Sequence, residues 1–527
     1  MFKFNQTHDP RNNAALIAEW TQNRMPLQKL VQETEELFTQ VCQNNTSMLE
    51  AHPPNQPFSF LEKLTRWFFR IFAKPSTLLA PSKTIVDKEE QIVPDWKDKL
   101  DQEYNELLNQ ITREVNILDF GAVGDGRTDC TAAFHKALGN GRVKVIVPEG
   151  IFITKGIRLP SWTFLIGAGK GVTTIKLHPD TPKGTRLVTN ANHWKGNHHL
   201  FVKGLTLDWN IERLGDTTKT STWGNHSSCL TYANVTYGWV HEVEGINPGL
   251  HCFDISSTLY NYAGDGYRAS GGSKYVWMDQ LTGYGFGDDG ITTHHSDYIF
   301  ISRSHMYNPS GRSHQKGYSN SNGIEIDDGS RNILLVHNST AGCFGGVEIK
   351  AHENSSAASN VQMVGHISVN DNRSYNFRHI GHHKSTDTQS KSAYNISACC
   401  LVSVAPVYTE LYKDSAPRSL VISGYQNVVI NHFWAIGDGE YDFKNNPVVA
   451  IQYRARNIML NDLSIKNYNN AGPAIKVFGG ENRAEFIKIQ NMMTDDSFSK
   501  VIETGSDVKE MKIEHGQRDR NTESIMY

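Results

Sequence analysis

Apolar residues recur at helical spacing in the first part of the chain and at strand spacing after it. Between residues 27 and 41 they lie three or four positions apart, with Gln and Glu between them, which predicts an amphipathic helix. An aromatic and basic stretch from Phe58 to Phe72 and a segment from Trp96 to Ile111 also show helical spacing. For the first of these, packing against partner chains is favoured over contact with a membrane surface. Residues 1–112 are therefore predicted to be a helical N-terminal region.

From Asn116 the pattern changes to short β-branched runs separated by Gly and Asn. Similar runs repeat, and they can be aligned on their glycines; they read DGYRAS (265–270), DGITTH (289–294), NGIEID (322–327), GVEIKA (346–351) and NFRHIG (376–381). The aligned glycines of the first four lie at 266, 290, 323 and 346, so one coil takes about two dozen residues. The 33-residue interval indicates a loop insertion, residues 305–320. The repeat predicts a mainly β fold, a β-solenoid at 113–490, followed by a C-terminal cap or trimer contact at 491–527.

Alternation along each repeated strand sorts the side chains into an inner and an outer set. The predicted inward set is Tyr267, Ile291, Ile324, Val347 and Phe377. The outward column is then Arg268, Thr292, Glu325, Glu348 and Arg378, and a second column holds Ser270, His294, Asp327 and Lys350. Charged side chains in register on successive coils favour a functional face, although charged ladders also occur on solvated faces.

Paired carboxyl groups suggest acid/base chemistry on this face. Glu325 and Glu348 are expected about 5 Å apart on neighbouring coils, where one carboxyl should keep its proton to a higher pH. Such a pair suits acetal hydrolysis, in which one group protonates the leaving oxygen and the other attacks or activates water. Asp288 and Asp289 form a second acidic cluster, and the candidate catalytic set is Glu325, Glu348, Asp288, Asp289 and Asp327. The alternative is that Arg378 or Lys350 only pairs with Glu348 and stabilises the surface.

Cationic and aromatic residues near these acids predict a groove for an anionic polymer. The candidate substrate-binding residues are Lys350, Arg378, His294, His379, His382, Arg268 and Tyr375. Arginine offers a bidentate fork to phosphate, sulfate or carboxylate groups. The histidines between 352 and 383 fit no standard zinc spacing, so no metal site is assigned. No cofactor is required, although a divalent cation is possible.

Charge and composition exclude several other classes. The 527 residues include 52 basic and 55 acidic ones, a net charge of −3 that gives no electrostatic basis for binding nucleic acid. The seven cysteines form no Cys-x-x-Cys pair, which is typical of unpaired thiols in a reducing compartment. No run is long and apolar enough to predict a membrane span, and the first ten residues do not resemble a secretory signal. Synthesis in a cytoplasm without a signal peptide is expected.

Two motifs carry a resemblance to known families. NILDFGAVGDGRTDCTAAF, starting at Asn116, resembles the opening of the pectate-lyase-like superfamily, which implies a right-handed parallel β-helix. The passage GFGDDGITTHH, with Asp288 and Asp289, resembles the Asp-Asp segment of polygalacturonase-like hydrolases, in which an Asp of that motif protonates the leaving group. The Gly-His-Gly motif of those enzymes is not matched. Of their Arg-Ile-Lys motif only Ile349 and Lys350 carry over, and Lys350 would grip an acidic group of the substrate.

The run NDNRSYNFRHIGHH, residues 370–383, is similar to the pre-neck appendage depolymerases of podoviruses that infect Gram-positive hosts. That resemblance, together with the helical N-terminal region, implies a tailspike-like homotrimer in the virion, attached through residues 1–112 to neck or tail proteins. It also implies host wall teichoic acid or capsule as the substrate.

Three functions follow from these observations. The first is a hydrolase of a surface glycopolymer that uses the carboxyl set above. The second is an adhesin, in which the same groove binds the polymer without cutting it. The third is a polysaccharide lyase or epimerase, for which Lys350 or Tyr375 would act as the base.

Overall fold

The computed structural model describes residues 4, 7–21, 25–43, 59–76, 79–222, 226–260, 262–380 and 390–514. Within them the helices are α1 (Asn13–Thr21), α2 (Leu27–Gln43), α3 (Phe60–Arg70), α4 (Lys97–Gln110) and α5 (Thr131–Leu138). Three short 3-10 helices lie at Pro10–Asn12, Ile117–Phe120 and Ile211–Leu214. The three helices predicted at 27–41, 58–72 and 96–111 are confirmed as α2, α3 and α4.

Two antiparallel pairs of strands form small sheets that are separate from the large sheets of the repeat. They involve β1 (Ala73–Pro75), β2 (Thr84–Val86) and β3 (Ile92–Pro94). β2 pairs with β3, while β1 pairs with the later strand Tyr267–Ala269. The repeat opens with β4 (Arg113–Asn116), β5 (Asp125–Asp129), β6 (Val143–Val147), β7 (Gly150–Thr154), β8 (Ile157–Leu159), β9 (Thr163–Gly167), β10 (Thr173–Leu177), β11 (Val188–Asn190), β12 (Asn197–Asp208), β13 (Leu230–Ala233) and β14 (Val235–Ile246).

The central coils carry the strands that position the candidate site. They are β15 (Phe253–Ser256), β16 (Tyr267–Ala269), β17 (Lys274–Asp279), β18 (Thr282–Tyr284), β19 (Ile291–Thr293), β20 (Asp297–Ser302), β21 (His305–Tyr307), β22 (Asn322–Ile326), β23 (Arg331–Ala341), β24 (Gly345–Ala351), β25 (Ser359–Val369) and β26 (Arg373–His379). The last coils comprise β27 (Tyr394–Val404), β28 (Arg418–Ser423), β29 (Gln426–Ile436), β30 (Val449–Gln452), β31 (Arg456–Lys466), β32 (Ile475–Val477), β33 (Glu485–Thr494), β34 (Ile502–Thr504) and β35 (Lys509–Glu514).

Two large sheets run the length of the repeat, as a parallel β-helix requires. The twelve-stranded sheet has the order β8, β11, β13, β15, β19, β22, β24, β26, β28, β30, β32, β34, and every pairing in it is parallel. The inward residues of both sheets form one core that extends from Ile117 to Ile489. Strands β33, β34 and β35 continue both sheets to residue 514, beyond the boundary predicted at residue 490.

The N-terminal helices lie along the side of this solenoid. In α2 the apolar face predicted from the sequence is buried, and Phe38 and Val41 pack against Val429 and Met459 of β29 and β31. Asn13 of α1 donates a hydrogen bond to the carbonyl of His337. α3 differs, since none of its side chains is buried and Phe60 is 83% exposed. No described helix is long and apolar enough to cross a bilayer. None of the seven cysteines, all within the described residues, forms a disulfide bond.

An asparagine ladder stabilises one bend of successive coils. The side-chain amide of Asn395 donates to Asn360 at 2.8 Å, and that of Asn427 donates to Asn395 at 3.0 Å. The three backbones have φ between 54° and 67°, a left-handed conformation that asparagine tolerates better than most residues.

Replacing Asn395 with Ala is expected to lower the free energy of unfolding by about 2–3 kcal/mol. The substitution removes two hydrogen bonds and places a Cβ without a compensating polar group in left-handed backbone. Denaturant unfolding of the variant measures the effect. Asn395→Gly serves as the control, because it removes the same bonds without the strain and should be less destabilised. Equal losses in the two variants would contradict the contribution assigned to the backbone.

Candidate active site

The predicted outward column is present in the twelve-stranded sheet from Thr292 to Glu348, but its last residue differs from the predicted one. Glu325 of β22 pairs in register with Thr292 and with Glu348 of β24, as predicted. The next position is Asn376 rather than Arg378. The neighbours Ile324 and Ile326 lie in the core, so Glu325 lies on the opposite face. Loops cover this face, and Glu325 is only 3% exposed.

The second column begins where the strands end. Register places His294, Asp327, Lys350 and Arg378 on consecutive coils. The Lys350 ammonium lies 2.6 Å from Glu325 Oε1 and 3.8 Å from Asp327 Oδ2. His294 Nε2 lies 3.5 Å from the same Asp327 oxygen. Arg378 donates a hydrogen bond to Glu348, so the predicted pairing of Glu348 with an arginine also occurs.

Two histidines compensate the Asp288–Asp289 pair. His251 Nε2 lies 3.4 Å from Asp289 and 3.9 Å from Asp288, and His314 Nε2 lies 3.1 Å from Asp288. His314 belongs to the loop insertion predicted at 305–320. Burial alone would lower the pKa of His251, but the two carboxylates outweigh it and raise the pKa to about 10.

Asn322 connects the two acidic clusters. Its side-chain amide donates to Asp289 Oδ1 at 3.0 Å and to Glu325 Oε1 at 2.9 Å. Glu325 Oε1 therefore accepts from both Asn322 and Lys350, while Oε2 accepts, among the described residues, from the Thr292 hydroxyl alone, at 3.1 Å. A proton on Glu325 is best placed on Oε2, because both hydrogen bonds to Oε1 require a lone pair.

The environment keeps one carboxyl group of this cluster protonated and another ionised. Burial raises the pKa of Glu325 well above its ordinary value, and the negative charge of Asp289 adds to this effect. Burial also opposes the ionisation of Asp327, but Lys350 and His352 outweigh it and hold the pKa of Asp327 well below its usual range. Glu325 is thus the group that keeps a proton, and Asp327 the group that carries a charge.

Asp327 is fully buried among basic side chains, and its Oδ2 lies 3.4 Å from His352 Nδ1, 3.5 Å from His294 Nε2 and 3.8 Å from the Lys350 ammonium. Within the described part of the chain, neither of its carboxylate oxygens accepts a hydrogen bond. Oxygen atoms of Asp327 and Glu325 lie within 4.8 Å of each other and of His294. Among the residues that the structure describes, three such groups of ligand atoms could hold a metal ion; they are His251–Asp288–Asp289, His294–Glu325–Asp327 and Asp327–Asp328–His352. In the second group the Lys350 ammonium already supplies a positive charge beside Glu325.

Three predicted substrate-binding residues lie elsewhere. Arg268 sits on β16, which pairs with β1, and its guanidinium is bound to Asp297 at 2.7 Å. Tyr375, not Phe377, follows Val347 in the inward row, and its hydroxyl donates to the carbonyl of Val402 inside the core. His379 is buried between Ser355 and Ser390. His382 lies outside the described residues.

A cavity of about 190 Å³ adjoins the acids at His294. Its lining includes Tyr260, whose hydroxyl lies 3.0 Å from His294 Nε2, and Trp194, which is 70% exposed. The loop of Trp194 is fixed by hydrogen bonds from Asn234 and Thr258 to its carbonyls. Neither these two aromatic residues nor His251 could be predicted as site residues, because they come from loops without a repeated pattern.

The sequence of the chain is similar to those of known proteins. Residues 114–348 match the family model described as rhamnogalacturonase A/epimerase, pectate lyase-like. The phage-related protein YobO of Bacillus subtilis (strain 168) is 49% identical over 431 residues, which cover 82% of this chain and 53% of that protein. The pre-neck appendage protein of Bacillus phage phi29 is 39% identical, over 79% of this chain and 49% of its own length. The chain thus spans about half the length of these relatives.

Solved structures agree with the sequence matches. The N-terminal fragment of bacteriophage phi29 gene product 12 superposes with a TM-score of 0.71 at 39% identity, covering 79% of this chain and 68% of that one. A family 28 exopolygalacturonase from Yersinia enterocolitica has a TM-score of 0.52 at 12% identity, over 76% of this chain and 78% of its own. This second likeness concerns the fold alone, and both confirm the predicted parallel β-helix.

Proposed function

Because the chain belongs to the pectate-lyase-like family of phage pre-neck appendage proteins, we propose that it binds and hydrolyses a glycopolymer of the host cell surface. The polymer is wall teichoic acid or a capsular or secreted polysaccharide. Carboxyl groups perform the reaction as acid and nucleophile or base.

One observation carries this proposal: a carboxyl group that keeps its proton lies close to an ionised carboxylate that accepts no hydrogen bond within the described part of the chain. Glu325 lies on β22, Asp327 follows directly after the end of that strand, and their oxygens lie within 4.8 Å of each other. Their pKa values are moved in opposite directions by the groups around them. Two neighbouring titratable groups whose pKa values are moved apart by their surroundings are typical of acid/base catalysis.

The chemistry follows from the two protonation states. Glu325 donates its proton to the leaving oxygen of the scissile bond while Asp327 attacks the anomeric carbon. Water then displaces Asp327 from that carbon and returns a proton to Glu325. Carboxyl oxygens less than 5 Å apart favour this retaining route over an inverting one. His294 and Lys350, both beside Asp327, orient its carboxylate and compensate its charge.

Depolymerisation of purified host polymers tests the proposal. Wild-type protein is incubated with wall teichoic acid and with capsule from Gram-positive hosts, and the products are followed by mass spectrometry. A saturated product with one added water per cleavage supports hydrolysis. An unsaturated, ultraviolet-absorbing product would instead indicate a lyase, and binding without any product an adhesin.

Assembly in a virion belongs to the same proposal. We expect a homotrimer that contacts neck or tail proteins through the helical N-terminal region. The exposed apolar face of α3 supports a protein contact there, since Phe60, Leu61, Trp67 and Ile71 are all more than half exposed.

Replacing Trp194 with Ala should weaken polymer binding about tenfold. An exposed indole on a loop whose backbone is fixed beside the cavity offers a stacking surface for a sugar ring, and the loss of such a ring costs about 1–1.5 kcal/mol. Isothermal titration with the polymer measures the change. Trp67→Ala on α3 is the matched control, because Trp67 is 63% exposed and should not affect polymer affinity. Equal affinities of both variants would exclude Trp194 from the groove.

A further inference from the structure

Two arginines beside the candidate active site lack acidic partners. Arg373 of β26 and Arg418 of β28 are register neighbours in the twelve-stranded sheet. Within the described residues, neither guanidinium has a carboxylate within 4 Å, and the Nε group of each is buried without a hydrogen bond. Their side-chain hydrogen bonds are long, 3.5 Å from Arg373 to Asn376 and 3.5 Å from Arg418 to Asn446.

Three other arginines of the central coils are paired with acids. Arg268 and Arg331 share Asp297, and Arg378 bonds Glu348. A guanidinium withdrawn from water without a counter-ion is costly, and two adjacent ones repel each other as well. Burial, together with the charges of Arg378 and Arg418, lowers the pKa of Arg373 to about 10. An anion from solution would offset both penalties.

Side-chain contacts place this pair beside the acids. Arg373 and Arg418 are neighbours along the sheet, and Asn376, whose side-chain oxygen lies 3.5 Å from Arg373, donates a hydrogen bond to Glu348 at 2.9 Å. Glu325, Glu348 and Asn376 are consecutive in one column, so Asn376 lies two strand spacings, about 10 Å, from the candidate acid. Phe344 lies under the Arg373 guanidinium and packs against Tyr412, and these rings limit the arginine to one side of the groove.

We propose that Arg373 and Arg418 form a subsite for a tetrahedral oxyanion, a phosphate or sulfate group carried by the polymer. The inference rests on the proposed function, because it assigns this group to the chain that is cut at Glu325. One guanidinium satisfies both oxygens of a carboxylate, whereas two guanidiniums on adjacent strands match a group with three or four acceptor oxygens. The subsite therefore selects polymers that carry such a group about one residue from the scissile bond.

Binding of small anions tests the subsite without any cleavage. Inorganic phosphate, sulfate and acetate are titrated into the full chain at constant ionic strength, with phosphorus-31 NMR for phosphate and calorimetry for all three. We expect phosphate and sulfate to bind wild type and Glu325→Gln equally, and Arg373→Gln/Arg418→Gln at least tenfold more weakly. Acetate should bind none of them measurably. Arg483→Gln, which removes an arginine paired with Glu485 on a distant coil, is the matched control and should bind like wild type.

A charge-conserving variant separates binding from folding. Arg373→Lys/Arg418→Lys keeps both charges but loses the planar forks, so it should fold like wild type and bind phosphate more weakly. Phosphate affinity that is unchanged in both double variants would overturn the subsite, even in an active enzyme. Phosphate binding that depends on these arginines would stand even with no polymer cleaved, which would refute the hydrolase alone. Tighter binding of acetate than of phosphate would assign the pair to a carboxylate and refute the choice of oxyanion.

Discussion

Glu325→Gln is expected to reduce the rate of polymer cleavage by about 10²–10⁴-fold and to leave polymer affinity nearly unchanged. The amide has the shape of the protonated carboxyl group and can still accept from Lys350 and Asn322, so the groove should be preserved. It cannot give a proton to the leaving oxygen. Product formation under saturating polymer measures the rate, and calorimetry measures the affinity.

The pH profile supplies a second readout of the same residue. Glu325 must be protonated to act as an acid, so wild-type activity should fall as the pH rises through its raised pKa. The variant should lose this alkaline limb, because glutamine does not titrate. Glu440→Gln, at an exposed loop position, is the matched control and should retain the wild-type rate and profile. A variant that keeps the wild-type rate would remove Glu325 from the mechanism.

Lys350→Met is expected to lower the free energy of unfolding by about 3–5 kcal/mol and to abolish cleavage. Lys350 is 4% exposed; its ammonium lies 2.6 Å from Glu325 Oε1 and compensates the charge of Asp327. Removing Lys350 leaves the buried, ionised carboxylate of Asp327 without this counter-charge. Denaturant unfolding at neutral pH measures the loss.

The loss should depend on pH in a definite direction. The folded-state pKa of Asp327 is depressed, so its contribution to stability is present above the unfolded value of about 3.9 and is lost as the pH falls through the folded pKa. Wild type and Lys350→Met should therefore converge in acid. Adding Asp327→Asn to Lys350→Met should restore part of the stability but no activity. An additive loss in the double variant would show that the two side chains do not interact.

The paired glutamates could be predicted because the alternation of a strand has a period of two. NGIEID and GVEIKA align on their glycines, and this alignment placed Glu325 beside Glu348. The alignment places the next repeat, NFRHIG, two residues too far along the chain. A shift of two residues leaves each side chain on its predicted face, but it changes which residue lies beside it on the adjacent strand. Phe377 was thus expected where Tyr375 lies, and Arg378 where Asn376 lies.

Other parts of the site could not be read from the repeat. His251 and Trp194 come from bends between strands, where the direction of a side chain depends on contacts with distant loops. Arg268 follows the same local pattern as the other repeats, but β16 pairs with β1 from the N-terminal region instead of with a coil. The position of Arg268 depends on the pairing of two strands that are distant in the sequence, and the local spacing of residues carries no information on such pairing.

The N-terminal helices change how the solenoid should respond to stress. In most solenoids each repeat contacts only its neighbours, so stability is local and coils at the ends can open independently. Here α1 and α2 extend across the strands from β23 to β31, fixed by Asn13 to β23 and by Thr34 to Asn431. Opening one of these coils must detach a helix that also holds the others. The coils from β23 to β31 should consequently unfold together, in one cooperative step, under heat or pulling force.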